Sequence, residues 1–321
     1  MLCRTLPGTS LSLSVIGLGC WTLGNEGWGT PVDDQTADDT VRAAVEAGVN
    51  WLDTAPLYGD GHADAVVARA RRAHPGLIVA TKVGARVEAG HARSDLRPEA
   101  LRADAEASLR RLGRIDLLQV HWPCERGTPL EDTMGALQAL VDAGHIGAFG
   151  LCNYDADGLQ RARAQGAVTS LQTPYSLLRR EFEGALREEC ATPRGDPPQP
   201  IGVLAYETLC RGLLSGKHTA PPRFHPSDIR ARDPRFRGLA FGVARGLSED
   251  LARVAEKVGA PQVALATGWV LSRPGVTAAV VGARSAAQIV EVARAIPLLG
   301  RARLWSVIDR LAAAHGGIPR G

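Results

Sequence analysis

Residues 34–53, Asp-Gln-Thr-Ala-Asp-Asp-Thr-Val-Arg-Ala-Ala-Val-Glu-Ala-Gly-Val-Asn-Trp-Leu-Asp, decide the fold of this 321-residue chain. Asp34–Ala47 carries apolar residues at helical spacing, which predicts an amphipathic helix, and Gly48 is suited to end it. The apolar run Val49–Leu52 follows at once and predicts a short buried strand that ends at Asp53. A helix that leads directly into a strand is the unit from which parallel α/β folds are built.

The same alternation continues through the chain. Short apolar runs bounded by Gly, Pro, Asp or Asn predict eight strands: Val15–Leu18, Val49–Leu52, Leu77–Ala80, Ile115–Val120, Ala148–Leu151, Ser170–Gln172, Ile201–Ala205 and Ala278–Val281. Helix-length segments separate them: Asp34–Ala47, His62–Ala73, Pro98–Leu112, Leu130–Ala143, Asp155–Ala164, Glu181–Cys190, Ser248–Val258 and Ser285–Ala295. This count predicts an α/β fold, a closed (β/α)8 TIM barrel rather than a doubly wound sheet, formed as one domain over residues 1–321.

Three segments fall outside the regular alternation. Leu2–Ser14 predicts a β-hairpin ahead of the barrel, and Arg301–His315 predicts an extra helix at the C-terminal end. Leu213–Gly246 is long, basic and rich in Pro, Gly and Arg, so we expect a loop with short helices, and loops of this length are usually functional or disordered. We also expect Ser248 to be the N-cap of the helix that follows.

The composition excludes several classes of protein. The net charge of +3, from 37 Lys and Arg against 34 Asp and Glu, is too small to indicate a nucleic-acid or membrane partner. No stretch of 18 apolar residues predicts a membrane-spanning helix, and we see no signal peptide at the start. The six cysteines are scattered and lack metal-binding spacing, which favours a reducing, cytoplasmic location and no metal site.

Two familiar nucleotide-binding motifs are incomplete in this chain. The glycine turn at 17–19 lacks the third glycine of a dinucleotide fingerprint, because position 22 is Thr. The Gly-Lys pair at 216–217 lacks the earlier glycine of a phosphate-binding loop, whose place is taken by Arg211. A nucleotide cofactor would therefore have to be bound in another way.

Four chemically active residues stand at or just after the ends of predicted strands. Asp53 ends the second strand, Tyr58 lies five residues further on, Lys82 ends the third strand and His121 ends the fourth. Each residue alone has an ordinary structural explanation: a turn cap, a solvated cation or a hydrogen-bonded core histidine. In a (β/α)8 barrel, however, residues at the carboxyl ends of the strands converge on one mouth. We therefore expect these four side chains to form one group.

This combination of side chains suits the reduction of a carbonyl group. Hydride transfer to a carbonyl carbon places negative charge on oxygen, so a proton donor is needed. A free tyrosine, with a pKa near 10, is a weak acid at neutral pH, but a neighbouring Lys82 ammonium would lower the pKa of Tyr58. Asp53 would keep that lysine charged and in place, and a neutral His121 would orient the carbonyl.

Taken in order, these motifs resemble those of the aldo-keto reductases, whose catalytic tetrad is Asp, Tyr, Lys and His in the same settings. The resemblance runs from Ile16-Gly17-Leu18-Gly19-Cys20-Trp21 to Val281-Gly282-Ala283-Arg284-Ser285. The Trp-Gly pair at 28–29 and the segment 212–217 are similar to the bacterial and potassium-channel β-subunit branch. They are less similar to the mammalian aldose reductase branch. The resemblance implies a nicotinamide cofactor and Asp53, Tyr58, Lys82 and His121 as catalytic residues.

The resemblance also implies which residues hold the cofactor and the substrate. The cofactor residues are Cys20, Trp21, Asp53, Cys152, Asn153, Gln172, Tyr206, Glu207, Leu209, Ser215, Lys217, Gly282, Arg284, Gln288 and Glu291. The substrate residues are Trp21, Trp28, Leu57, Tyr58, His121 and Trp122. Arg284 stands at the start of a predicted helix, where a guanidinium group can bind a 2′-phosphate, and this favours NADPH over NADH.

The cofactor residues depart from the family pattern in three places. Cys152 replaces a serine and is a weaker hydrogen-bond donor, Glu207 stands where the family has serine, and Val292 replaces an asparagine near the adenine. Three functions remain open from the sequence: reduction of an aldehyde or ketone, oxidation of a sugar or polyol, and an NADP(H)-binding regulatory or scaffold protein. A dedicated biosynthetic substrate is a further variant of the first. The oligomeric state is not encoded in any pattern that we recognise.

Overall fold

The computed structural model describes residues 1–88, 91–124, 127–195 and 197–316. The strands are β1 (Cys3–Thr5), β2 (Ser12–Ser14), β3 (Ile16–Gly19), β4 (Trp51–Asp53), β5 (Ile78–Val83), β6 (Ala85–Glu88), β7 (His91–Ser94), β8 (Leu117–Val120), β9 (Ala148–Cys152), β10 (Ser170–Pro174), β11 (Gly202–Tyr206) and β12 (Val276–Gly282). The α-helices are α1 (Asp34–Glu46), α2 (His62–Ala73), α3 (Pro98–Leu112), α4 (Leu130–Asp142), α5 (Ala156–Arg163), α6 (Ala185–Ala191), α7 (Gly238–Val258), α8 (Gln262–Leu271), α9 (Ala286–Ala293) and α10 (Ala302–His315).

The eight predicted strands are β3, β4, β5, β8, β9, β10, β11 and β12, and they close into a barrel in which each strand pairs in parallel with its neighbours. The strand order around the barrel follows the chain, as expected when a helix returns the chain between adjacent parallel strands. The (β/α)8 barrel predicted from the sequence is therefore confirmed, and so is the additional C-terminal helix, α10.

The predicted N-terminal hairpin, β1–β2, covers the end of the barrel where the strands begin. Its Leu6 and Leu13 side chains pack with Trp51, whose indole nitrogen donates to the Ser14 carbonyl at 2.9 Å. Trp51 also explains Gly17, since a Cβ atom at that glycine would lie 2.1 Å from the indole ring. With this end of the barrel packed, the opposite end, where the strands finish, is the open mouth.

The prediction that Leu213–Gly246 is a loop with short helices and that Ser248 is the N-cap of the next helix was wrong about where that helix begins. Helix α7 begins at Gly238 rather than at Ser248, and Ser248 is a buried residue inside it that accepts a hydrogen bond from Gln262 at 2.7 Å. Three glycines, at positions 238, 242 and 246, lower the helix propensity of this stretch. A buried face that includes Phe241 and Leu247 compensates for them, since tertiary packing outweighs propensity.

Two elements were not predicted. Helix α8 was missed because residues 264–271 are all buried, and a helix that is apolar on every side shows no amphipathic pattern. The hairpin β6–β7 was missed because each strand has only four residues, too few for the alternation in β6 to stand out, and β7 has a single apolar residue. Within the described part of the chain, no helix is long and apolar enough to cross a membrane.

Candidate active site

The barrel mouth brings Asp53, Lys82 and His121 together from three neighbouring strands. Asp53 ends β4, Lys82 is the last residue but one of β5, and His121 directly follows β8. All three are buried, at 2%, 1% and 7% exposure, whereas Tyr58, in the loop after β4, is half-buried. The grouping expected from the sequence is present in the structure.

Lys82 is held by a short ion pair and sits close to Tyr58. Its Nζ atom donates to Asp53 Oδ1 at 2.5 Å and to the Thr54 carbonyl at 3.0 Å, and it lies 5.1 Å from the centre of the Tyr58 ring. The His121 ring centre lies 6.0 Å from that of Tyr58, edge to face. The phenol therefore has a fixed cation on one side and an imidazole on the other.

Burial and charge set the protonation of this group. Burial raises the pKa of Tyr58 to about 12. The charge of Lys82 lowers the pKa of Tyr58, as expected from the sequence, but burial has the larger effect. Burial alone would lower the pKa of Lys82, but the Asp53 carboxylate reverses this and raises it. Burial, followed by the charge of Lys82, lowers the pKa of His121 well below its ordinary value. Near neutral pH the phenol is thus protonated, the lysine is charged and the imidazole is neutral.

The loop that carries Tyr58 is anchored by a close backbone contact. A Cβ atom at Gly59 would lie 1.6 Å from the carbonyl oxygen of Gly24, so only glycine allows these two loops to approach. Gly59 also has a φ of 63°, in the left-handed region. The contact fixes the Tyr58 backbone beside the segment that contains Trp21 and Trp28.

The side chains expected to form the substrate wall surround Tyr58 and His121. Trp21 stacks on Tyr58 with ring centres 5.8 Å apart and meets Trp28 edge to face at 5.1 Å. Trp122 stacks on His121 at 4.1 Å, and Leu57 is half-buried next to Tyr58 in the chain. These rings form an aromatic boundary around the candidate reaction centre.

The ends of β9, β10 and β11 place three candidate nicotinamide ligands beside the catalytic group. Asn153 donates to the His121 carbonyl at 3.0 Å and accepts from the Tyr206 hydroxyl at 2.8 Å. Gln172 donates to Asp53 Oδ2 at 2.8 Å. Cys152 is buried, and burial raises the pKa of its thiol, so it stays protonated. Cys20, directly after β3, is also buried, and burial likewise raises the pKa of its thiol.

Glu207, directly after Tyr206, is the centre of a buried ion-pair network. Its carboxylate contacts Arg179 at 3.1 Å, Arg235 at 2.8 Å and Arg211 at 2.7 Å. Arg211 and Arg235 also contact Asp233, at 3.1 Å and 2.6 Å. Burial alone would raise the pKa of Glu207, but the three guanidinium groups outweigh it and lower the pKa to about 2. This departure from the family pattern therefore joins the connection after β10, which holds Arg179, to the connection after β11, which holds Arg211 and Arg235.

Positive charge collects between Lys217, Arg230 and Arg284. The pKa of Lys217 is lowered by burial and then by the charges of Arg230 and Arg284, and Asp228, bound to Arg230 at 2.7 Å, is the nearby acid. Arg284 donates to the carbonyls of Trp28 and Thr30. Cations that destabilise one another's charged forms favour an anion between them.

The start of α9 supports a phosphate site. Its N-cap is Ser285, and the Arg284 backbone N–H donates to Gln288 Oε1 at 2.9 Å. The Arg284 Nε atom is buried and has no hydrogen-bond partner among the described residues. A helix N-terminus beside an unsatisfied guanidinium N–H fits the phosphate of a dinucleotide cofactor.

The remaining candidate cofactor residues lie after β11, at the end of β12 and on α9. Leu209 is partly buried and Ser215 donates to the Gly212 carbonyl at 2.6 Å, while Gly282 and Glu291 are exposed. Val292, where the family has asparagine, is only 2% exposed and packs in the core. A side chain buried there does not face an adenine bound on the surface of α9.

Sequence reasoning missed Gln119, Arg230 and the arginines that bind Glu207. Gln119 could have been found, because it lies on β8 two residues before His121, and side chains two residues apart along extended backbone face the same side. Arg179 and Arg235 each lie 28 residues from Glu207 in the chain, and no local pattern connects them. No group of three or more residues suited to hold a metal ion occurs in the part of the chain that the structure describes.

The sequence and the structure of the chain are similar to those of known proteins. The model of the Aldo/keto reductase family matches residues 15–311. The chain is 34% identical to the aldo-keto reductase YhdN of Bacillus subtilis over 89% of this chain and 86% of the relative. It is 29% identical to the NADH-specific methylglyoxal reductase of Escherichia coli, over 89% and 90%. The structure of the glycerol dehydrogenase AKR11B4 from Gluconobacter oxydans is similar with a TM-score of 0.87 and 33% identity, over 99% of this chain and 97% of the other.

Proposed function

The chain belongs to the aldo/keto reductase family, and from this premise we propose that it reduces an aldehyde or ketone to an alcohol with NADPH. The observation that carries the proposal is the Lys82 ammonium, held 2.5 Å from Asp53 and 5.1 Å from the ring of a protonated Tyr58. Tyr58 is the proton donor in this reaction, Lys82 and Asp53 control its electrostatics, and His121 orients the carbonyl oxygen.

The proposed mechanism follows from the charges at the mouth. A bound reduced nicotinamide supplies the hydride to the carbonyl carbon. The carbonyl oxygen, placed between Tyr58 and His121, gains negative charge and takes the proton from the Tyr58 hydroxyl. Lys82 stabilises the phenolate that remains, because a buried cation interacts strongly with a nearby anion. The neutral His121 ring provides a hydrogen bond without adding a competing acid.

The cofactor residues act by binding and orientation. Asn153 and Gln172 would hold the nicotinamide amide, and Tyr206 would offer its ring face to the nicotinamide. Lys217, Arg284, Ser285 and Gln288 would hold the phosphates at the start of α9. The cluster of Lys217, Arg230 and Arg284 supports NADPH over NADH, because an additional 2′-phosphate brings additional negative charge to three cations.

The aromatic boundary supports small or medium carbonyl compounds as substrates. Trp21, Trp28 and Trp122 provide flat apolar faces, while Tyr58 and His121 are the polar groups at its centre. Such a site binds a substrate largely by its carbonyl group and by stacking.

A second candidate is oxidation of a sugar or polyol with NAD(P)⁺. The similarity to a glycerol dehydrogenase at a TM-score of 0.87 favours this direction. The same residues would serve both directions, since the group that donates a proton in reduction accepts it in oxidation. The Escherichia coli relative is named as NADH-specific, so the choice between NADPH and NADH is also tested by experiment.

Steady-state rates in both directions test these proposals. Purified protein is mixed with a panel of aldehydes, ketones and polyols and with each of the four nicotinamide cofactors, and absorbance of the reduced nicotinamide is followed. We expect the highest kcat/KM for a carbonyl substrate with NADPH. A higher kcat/KM for a polyol would favour the dehydrogenase. Tight cofactor binding without turnover of any compound would indicate a binding protein instead.

A further inference from the structure

Asp53 is bound by side chains from three other strands of the barrel. Lys82 donates to its Oδ1 atom at 2.5 Å, while Gln119 and Gln172 donate to its Oδ2 atom at 3.2 Å and 2.8 Å. Gln119 lies opposite Lys82 in the register between β5 and β8 and is fully buried. The carboxylate therefore has a fixed rotation, with one oxygen for the lysine and one for the two amides.

The polarity of the Gln119 amide follows from this arrangement. A carboxylate paired with an ammonium group accepts hydrogen bonds and donates none, so Gln119 must present its NH2 group to Asp53. Its Oε1 atom then has no hydrogen-bond partner among the described residues, although the side chain is fully buried. A buried acceptor without a partner lowers the stability of the fold, so an apolar side chain of similar size would suit this position better.

We propose that Gln119 is a positioning residue, which holds Asp53 Oδ2 so that Oδ1 stays on Lys82 and the ammonium stays beside Tyr58. The inference rests on the proposed function, since it assigns Gln119 a task in the same proton transfer. Without Gln119, the carboxylate keeps only Gln172 on its second oxygen, and Gln172 is itself a candidate ligand of the nicotinamide. The rotation of Asp53 would then depend on how Gln172 is engaged.

The first test replaces Gln119 by methionine, which has a similar length and no hydrogen-bonding amide. For Gln119→Met we expect an unchanged or higher Tm, unchanged cofactor Kd and about a 10-fold lower kcat. Gln138→Met is the matched control, because Gln138 also donates to an aspartate, Asp142 at 2.8 Å, but on the exposed surface of α4. The control should leave both kcat and Tm unchanged.

A second variant restores the hydrogen bond at low pH only. In Gln119→Glu the new carboxyl group can donate to Asp53 when protonated but repels it when ionised. We expect kcat of this variant to fall as pH rises, while the wild-type profile does not show this step. A residue with a purely structural role would not produce a new pH dependence.

A crystal structure of Gln119→Met separates this inference from the proposed function. We expect the Asp53 carboxylate to rotate and the contact between Asp53 Oδ1 and Lys82 Nζ to lengthen, whether or not a substrate is turned over. If the wild-type protein shows no turnover, the proposed function fails. The rotation of Asp53 and its distance from Lys82 in the variant structure would still show whether Gln119 positions Asp53. An unchanged Asp53 with unchanged kcat, or a loss of kcat in step with a loss of Tm, would overturn the inference.

Discussion

The catalytic group and the phosphate end of the mouth are built in different ways. Asp53, Lys82 and His121 stand at the ends of three adjacent strands and are buried, and Lys82 contacts Asp53 directly at 2.5 Å. Lys217 and Arg230 lie in the connection between β11 and α7, Arg284 lies between β12 and α9, and all three are at least partly exposed. Under the proposed function, proton transfer would rest on the strand ends of the barrel, whereas binding of the cofactor phosphates would rest on the connections that follow β11 and β12.

This difference has a physical cause. Proton transfer requires the donor and acceptor to be held within about 0.5 Å of their productive geometry, and strand ends in a closed barrel supply that precision. Phosphate binding depends on longer-range charge and tolerates more movement, and a cofactor must also be released. Glu207 directly follows Tyr206 and contacts arginines of two connections, the one after β10 and the one after β11. The following variants test whether the two regions can be perturbed separately.

Lys82→Met should have the largest effect on stability and turnover, because it removes the cation of the buried pair at the strand ends. Asp53 would keep a buried charge without its cation, and we expect the free energy of unfolding to fall by about 3 kcal/mol. Turnover should fall by about 1,000-fold, since Tyr58 loses the charge that stabilises its phenolate. Chemical denaturation and steady-state kinetics measure the two effects. Lys257→Met, at an exposed lysine of α7, is the control, and an equal loss in that variant would contradict the account.

Glu207→Gln should have the next largest effect, and on stability rather than on the chemical step. The Glu207 side chain is 7% exposed, but its arginine partners are partly solvated, so we expect a loss of about 2 kcal/mol. Glu181→Gln is the matched control, since Glu181 is exposed and lies 3.9 Å from the same Arg179. The control should change the free energy of unfolding by less than about 0.5 kcal/mol.

The loss of stability in Glu207→Gln should depend on pH. Because the folded-state pKa of Glu207 is lowered to about 2, its contribution is complete above the pKa of the unfolded chain and is lost as pH falls. The difference in stability between wild type and Glu207→Gln should therefore shrink as the pH falls from about 5 towards the folded-state pKa of about 2. A difference that is constant with pH would show that the loss comes from packing and not from charge.

Arg284→Leu should have the smallest effect, and we expect it to change cofactor affinity only. We expect NADPH affinity to fall about 10-fold and NADH affinity to change less than about 2-fold, as measured by fluorescence titration. Arg294→Leu is the control, because Arg294 lies at the other end of α9 and donates to the Gly259 carbonyl at 2.9 Å. Equal losses for both cofactors would instead indicate that Arg284 acts by holding the loop at Trp28 and Thr30.

The contrast between the two regions also explains what the sequence predicts. The barrel and the group Asp53, Lys82 and His121 are visible in the sequence because strand periodicity is local and strand ends converge. Gln119 follows the same rule and could have been identified. Two of the three arginine partners of Glu207, Arg179 and Arg235, each lie 28 residues away in the chain. The start of α7 at Gly238 depends on buried contacts that outweigh three glycines. Such features depend on tertiary contacts between distant segments.

The central claim is that Tyr58 donates the proton to the carbonyl oxygen, and single-turnover kinetics of Tyr58→Phe tests it most directly. The variant is loaded with NADPH and mixed with a carbonyl substrate that the wild type reduces, and oxidation of the cofactor is followed in a stopped-flow instrument. The account predicts a rate at least about 100-fold below that of wild type, with NADPH affinity within about 2-fold. A rate close to that of wild type, at equal cofactor affinity, would contradict it.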